Sequence, residues 1–344
     1  MTTTTAAPPE VGTVTRKRRT PAERASIIGT KYGLVGIWAL LIVFFGALRP
    51  DTFLTLGNFQ SLFDSQSLLM FLSLGLVISL VSGDFNLALP GVFSTSLLVI
   101  GSLNGKHGVP WGLAVLAGLG VAFTVGVVIA LLVVKLRLSS FIVTLGLGTA
   151  LFGVGFAISN DAIAGLSTGY EKLATTQIFG LQSIFGFAVL ATALVWYVYR
   201  FTPVGRKLYF VGASREVGRL AGLDVDRLRM GSLIASTTMA GVAAVLGGGY
   251  LGVADPSVGQ TFLLPMFAST LLGSTVINPG RPNPWGTFVA TYFLVTGYAG
   301  LGQLGLTGWI EEVFYGSALV LAVVVSTLIA RRTGGSEAPQ IDAS

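Results

Sequence analysis

The chain is a succession of apolar stretches broken by short polar interruptions. A helix rises about 1.5 Å per residue and a bilayer's hydrocarbon core is about 30 Å thick, so a crossing needs roughly 20 mostly apolar residues. Ten stretches qualify as predicted spans: 32–48, 65–82, 87–103, 110–134, 141–159, 184–201, 230–250, 262–277, 285–303 and 311–330. The second and third are separated only by VSGDFNLALPG (residues 81–91), where Asp84, Asn86 and the pair Pro90-Gly91 interrupt the apolar run. In GLGVAFTVG, the residues Gly118, Ala122 and Gly126 fall four apart. They share one helix face and let a neighbour approach closely, which predicts packing within the chain ahead of a dimer seam. The expected fold is an all-α membrane protein of about ten transmembrane helices.

Composition agrees with that pattern. Of 344 residues, 52% are hydrophobic and only 10% charged, with a mean hydropathy of +0.78. A soluble domain carries about 25% charged residues, so this chain cannot cover itself with polar surface, and lipid is its expected solvent. Cysteine is absent, which removes disulfides and cysteine-based metal or redox sites.

A net charge of +6 could suggest nucleic acid, but its placement points to a membrane. With a cytoplasmic N-terminus, the inside segments are 1–31, 83–86, 135–140, 202–229, 278–284 and 331–344. Arg200 counts with its loop, and of the 21 Lys and Arg only Arg49, Lys106 and Lys172 then lie outside. That asymmetry satisfies the positive-inside rule, supports an even number of spans and puts both termini in the cytoplasm. Residues 1–31, Thr/Pro-rich and then basic, are expected to be a disordered cytoplasmic tail, and 331–344 a second one. A signal peptide fits poorly, because its charged region would be about 31 residues long with no small-residue cleavage site after the apolar run. The permease domain is therefore expected over 32–330.

Catalytic signatures are missing. The only histidine, His107, sits in a short polar loop; Glu311 and Glu312 lie at the mouth of the last predicted span. There is no HExxH, and the GLGQLG string ends a span where a dinucleotide fingerprint would follow a strand. No GxxxxGK[ST] stretch offers a nucleotide site. Apart from Asp84, no ionisable residue lies well inside a predicted span, although ion-coupled transporters keep such residues along their pathways. The reading is a pathway without its own motor.

The longest inside segment contains a short predicted helix. Pro203 ends the sixth span after Thr202. Ser214 is placed to cap a new helix and Glu216 suits its positive start. Val217, Leu220 and Ala221 share one face, and Gly222 can stop the helix in a left-handed conformation. About two turns are marginal alone, so this apolar stripe needs a docking surface, on the membrane domain or on another protein.

This loop, TPVGRKLYFVGASREVGRLAGLDVDRLRM, resembles that of the ribose-type permeases, the membrane subunits of ABC importers for simple sugars and related solutes. Their pattern T-P-x-G-R, Y-x-x-G, A-x-x-x-G-[IL]-x-V-x-R is matched by Thr202, Pro203, Gly205, Arg206, Tyr209, Gly212, Gly222, Val225 and Arg227. FIVTLG at Phe141–Gly146 resembles a second family stretch. The resemblance spans about residues 32–330 and implies some ten helices and a pair of permease subunits. It also implies two cytoplasmic ABC ATPases, which would bind ATP and Mg while this chain binds no cofactor, and an extracytoplasmic solute-binding protein. It makes 202–229 a coupling loop, with Gly205, Arg206, Gly212, Ser214, Glu216, Val217, Arg219, Leu220, Ala221 and Gly222 as its contacts to the ATPase.

The same resemblance lays residues 83–91 on the family's G-G-I-D-L-S-V-G motif, with Asn86 where the family has aspartate and Asp84 on its second glycine. A non-helical break at membrane depth survives only where protein or a water-filled cavity satisfies the backbone. Asp84 and Asn86 are thus expected at a break bordering the pathway, against the alternative of a solvated turn. LPGVFSTSLL (89–98) is echoed by LPMFASTLL (264–272), as in an inverted repeat of two five-helix halves. Pro90, Ser94, Thr95, Ser269 and Thr270 join the pathway candidates. NPGRPNPWGT keeps the family's Gly286-Thr287 but adds three prolines. The function expected is a non-catalytic permease subunit for a sugar or similar small polar solute in the cytoplasmic membrane of a prokaryote. A branched-chain amino-acid permease, a motorless facilitator and a membrane-embedded enzyme are the alternatives.

Overall fold

The computed structural model describes residues 21–178, 180–306 and 308–332; the side chains of 21–31, 326 and 328–332 are not described. The elements are α1 (Pro21–Leu48), α2 (Pro50–Phe53), α3 (Leu56–Ser65), α4 (Ser67–Val81), α5 (Leu89–Gly101), α6 (Trp111–Ala130), α7 (Ser140–Ile158) and α8 (Thr168–Thr175). There follow α9 (Ser183–Phe201), α10 (Pro203–Ala213), α11 (Arg215–Leu220), α12 (Val225–Leu251), α13 (Val258–Thr261), α14 (Leu263–Gly273), α15 (Pro284–Gln303) and α16 (Trp309–Arg332). One-turn π-helical extensions, Ser102–Lys106 and Leu131–Lys135, continue α5 and α6. A two-stranded antiparallel hairpin, β1 (Gln177–Ile178) and β2 (Leu181–Gln182), precedes α9.

Each predicted span falls on a helix, with altered limits. The second begins at Leu56, because Thr55 accepts the Asn58 amide and starts α3 nine residues before the expected position. The eighth is only α14, residues 263–273. α1 starts at Pro21, inside the segment read as a disordered tail. Once 32–48 is helical, each further residue adds one hydrogen bond without a new nucleus. Residues 1–20 and 333–344, the remainder of both predicted tails, lie outside the described residues. Among the described residues, five helices are long and apolar enough to cross a membrane: Leu56–Val81, Trp111–Lys135, Ser140–Ile158, Ser183–Phe201 and Val225–Leu251.

α4 and α5 form the centre: every residue of α4 but Leu80, and every residue of α5 but Val99, is buried. Outer helices expose apolar side chains, among them Leu116 and Phe123 of α6, Ile142 of α7 and Leu190 of α9. The buried positions include many hydroxyls, such as Ser73, Ser79, Ser94, Ser236, Thr270, Thr287 and Thr291. An apolar outer surface around an apolar interior that also holds hydroxyls is an arrangement that lipid rewards and water penalises.

The small-residue face of α6 packs within the chain. A side chain at Gly126 would collide with Thr237, one at Gly241 with Ala122, and one at Gly118 with Ile100. This face carries the contact of α6 with α12 and α5.

Two ends of the bundle emerge from the loop contacts. At one end, Arg215 bonds Gly83, Ser140 accepts the Phe85 amide, and Tyr209 donates to the Pro282 carbonyl. Segments 82–86, 139–140, 202–229 and 276–283 therefore meet there. At the other end Thr52 bonds Gln303, Asn104 accepts the Ser167 amide, Ile163 bridges Ala254, and Asp64 accepts the Gln182 amide. α5 and α14 are each packed against several other helices. α5 lies on α6, α7 and α12, while α14 lies on α15, α16 and α4.

Candidate functional site

The loop after α9 is built by a few positions whose residue type is forced. Thr202 accepts the Gly205 amide at 3.3 Å and Pro203 occupies the first turn of α10. A β-carbon at Gly205 would run into the backbone of Tyr199 and Val198, so only glycine lets the chain turn so sharply. At the far end of α10, Gly212 lies against the Val81 carbonyl, where a side chain would strike the last turn of α4. Ser214 then accepts the Val217 amide at 3.3 Å and starts α11, as expected. Gly222 follows with φ +76°, the left-handed stop. The predicted 214–222 helix is thus one short turn-and-a-half, Arg215–Leu220, and α10 before it is an element that the sequence reading missed.

α11 turns its apolar stripe away from its own chain. Gly218 faces Val211 and Val225, whereas Val217 is 50% and Leu220 84% exposed. Of the two docking surfaces considered for this stripe, the membrane domain is the one it does not use.

Asp84 lies beneath this loop at the break between α4 and α5. Its side chain is 1% exposed, so the solvated-turn reading does not hold. Arg229, at the start of α12, donates from Nε to Oδ2 at 2.8 Å and from Nη2 to Oδ1 at 2.7 Å. Arg215, the first residue of α11, donates from Nη2 to Oδ1 at 3.1 Å and to the Gly83 carbonyl at 2.8 Å. Partial burial lowers the pKa of Arg215, the Asp84 carboxylate opposes that shift, and Arg229 adds to it. An arginine keeps its charge through such shifts, so two cations hold one carboxylate. Asp84 was expected at a break bordering the pathway; the break is there, and the carboxylate accepts from two guanidinium groups. Asn86, fully buried, donates to Ser236 Oγ at 3.0 Å and accepts the Ala88 amide at 3.2 Å, which ties the break to α12 and to the start of α5.

The remaining pathway candidates lie on α5 and α14. Pro90 opens α5, Ser94 accepts the Gly259 amide, and Thr95 donates to the Leu151 carbonyl. Thr270 of α14 donates to the Ser73 carbonyl. The hydroxyls of Ser269, Ser73 and Ser96 are buried with no partner. Arg229 escaped the sequence reading because it lies two residues beyond the motif's Arg227, which proves exposed and paired with Asp224. A buried carboxylate needing a cation was the available signal. Asp64, 5% exposed at the opposite end, was also missed, since it precedes the predicted second span. Among the described residues, no cluster of His, Asp and Glu could hold a metal ion.

With a buried break wired to a loop whose apolar stripe faces outward, the comparisons with known proteins acquire a structural context. Residues 59–323 match the family described as branched-chain amino acid transport system / permease component. The chain belongs to that family. Among its curated relatives, the D-allose transport system permease protein AlsC of Escherichia coli (strain K12) is 24% identical over 326 residues, covering 93% of this chain and 100% of its own. The ribose import permease protein RbsC of Bacillus subtilis (strain 168) is 26% identical over 298 residues, covering 83% and 89%. The autoinducer 2 import system permease protein LsrD of Escherichia coli (strain K12) is 27% identical over 308 residues, covering 86% and 91%. No solved structure matches the chain. Family membership and the apolar helices together make this chain an integral membrane protein and a transport permease component.

Proposed function

We propose that this chain is the permease subunit of an ATP-driven importer for a sugar or a similarly small polar solute. The relatives named for D-allose, ribose and fructose support the sugar class over the amino acids in the family's description. So do the buried Ser and Thr hydroxyls, which can exchange hydrogen bonds with a polyol without gripping it by charge. The solute passes by alternating access, with Asn86, Pro90, Ser94, Thr95, Ser269 and Thr270 along the route. Asp84 takes no direct part in contacting it.

Ten crossings of a prokaryotic cytoplasmic membrane, with both termini inside, are supported by the loops meeting alternately at two ends. The end that gathers Arg200, Arg206, Lys207, Arg215, Arg219, Arg227, Arg229 and Arg281 is the cytoplasmic one. The echo of residues 89–98 in 264–272, which fall on α5 and α14, supports an inverted repeat.

The single observation that carries the reading is the exposed stripe of α11. Leu220 at 84% exposure, on a helix capped at both ends, needs an apolar partner on the cytoplasmic side. A chain with no phosphate-binding loop also needs an ATPase. One docking event meets both needs. The assembly has two such ATPase subunits, a second permease subunit and an extracytoplasmic solute-binding protein; ATP is hydrolysed outside this chain. The test is a mild-detergent pull-down of the tagged chain scored for co-purifying ATPase activity, repeated with Glu216, Arg219 and Leu220 changed to alanine. Activity should arrive with the wild type and be absent from the variant. A wild-type preparation with no ATPase in several detergents would favour a motorless facilitator.

A further inference from the structure

We propose that the contact of Arg215 with Asp84 and Gly83 is a releasable latch, through which movement of α11 reaches the break between α4 and α5. The inference rests on the permease reading and deepens it by naming the residues that carry the stroke.

The two arginines on Asp84 are unequal. Arg229 is 9% exposed and holds both carboxylate oxygens through two nitrogens. A buried carboxylate stripped of such a partner is strongly destabilising, so this arm stays closed in every state. Arg215 is 41% exposed and uses one nitrogen for two acceptors. Its guanidinium can exchange both contacts for water at little cost. Arg215 is also the first residue of α11, directly after the Ser214 cap, so it moves whenever that helix is pushed.

What it holds is a point where the backbone can change. Gly83 has φ +80°, a conformation open to glycine, and its carbonyl oxygen is one of the two acceptors of Arg215. From there the contacts run on without a gap. Asp84 leads to Arg229 of α12, and Asn86 caps Ala88 at the start of α5 while bonding Ser236. Release of Arg215 frees the Gly83 carbonyl and leaves Asp84 neutralised by Arg229. The break can then rearrange without exposing a bare buried charge.

The test uses the assembled permease–ATPase complex in nanodiscs, nucleotide-free and trapped with ATP and vanadate, and needs no solute. Hydrogen–deuterium exchange is followed in the peptide covering residues 79–88, beside ATP hydrolysis. In the wild type the slowest amides of that peptide should differ between the two states by about threefold, the shift expected for one partly exposed ion pair made in only one of them. Arg215→Ala should keep the ATPase bound and hydrolysing, exchange at the faster rate in both states, and lose the difference. Arg215→Lys should restore part of it. Equal exchange of the wild-type peptide in both states, or an undiminished difference in Arg215→Ala, would overturn the latch. If Arg215→Ala does not assemble, Arg215→Met, which keeps the apolar stem, is measured against the same two criteria. A wild-type chain that brings no ATPase overturns the permease reading itself, a different result from a complex that assembles and shows no latch.

Discussion

Replacing Arg229 by methionine keeps most of the side-chain volume and removes the charge. Two hydrogen bonds of 2.8 and 2.7 Å disappear, and Asp84, 1% exposed, keeps only the single-nitrogen contact of Arg215. Breaking a buried pair in this way leaves an uncompensated charge and costs about 3–5 kcal/mol. Converting Asp84 to asparagine as well removes the charge that caused the penalty. The double variant should therefore recover to within about 2 kcal/mol of the wild type, since well-packed neutral replacements of buried pairs are often nearly neutral. The assay is an SDS titration of the purified chain in mixed micelles, with helix content followed by circular dichroism for the wild type, both single variants and the double. The decisive quantity is the coupling between the two substitutions. Additive losses, or a single-variant loss below about 1 kcal/mol, would refute the view of Asp84 and Arg229 as one closed electrostatic unit.

Two packing predictions use the same titration. Gly212→Val drives a side chain into the Val81 carbonyl, where backbone has to yield. It should cost about 1–3 kcal/mol and reduce the bound ATPase as α10 and α11 are displaced together. Gly126→Leu wedges α6 from Thr237 and the backbone of α12 and should cost a similar amount. Leucine at the neighbouring outward position Gly120, with nothing within 4 Å, should leave stability within about 0.5 kcal/mol.

The sequence by itself determined much of this architecture. Each of the ten apolar runs falls on a helix, because the need to satisfy every backbone group in lipid leaves few alternatives, although among the described residues five helices are long and apolar enough to cross. Local chemistry was equally legible. The Ser214 cap, the Gly222 stop and the small-residue face at Gly118, Ala122 and Gly126 depend on neighbours a few residues apart, and each stands where its pattern placed it. The limits of elements were less legible, as at Pro21 and Leu56, since helix propagation past an apolar run is decided by capping and packing.

Only the tertiary structure could decide the partner of Asp84. The residues that meet there come from positions 83–84, 215 and 229, more than a hundred residues apart for the longest link, and no periodicity joins them. The charge alone showed that Asp84 was unusual. Whether it faced a pathway, water or a cation depended on where α12 and α11 folded back, and they brought Arg229 and Arg215. The same holds for Leu220: its place in an apolar stripe is sequence, but that the stripe faces away from the bundle is set by Gly218 turning the other face of α11 inward against Val211 and Val225.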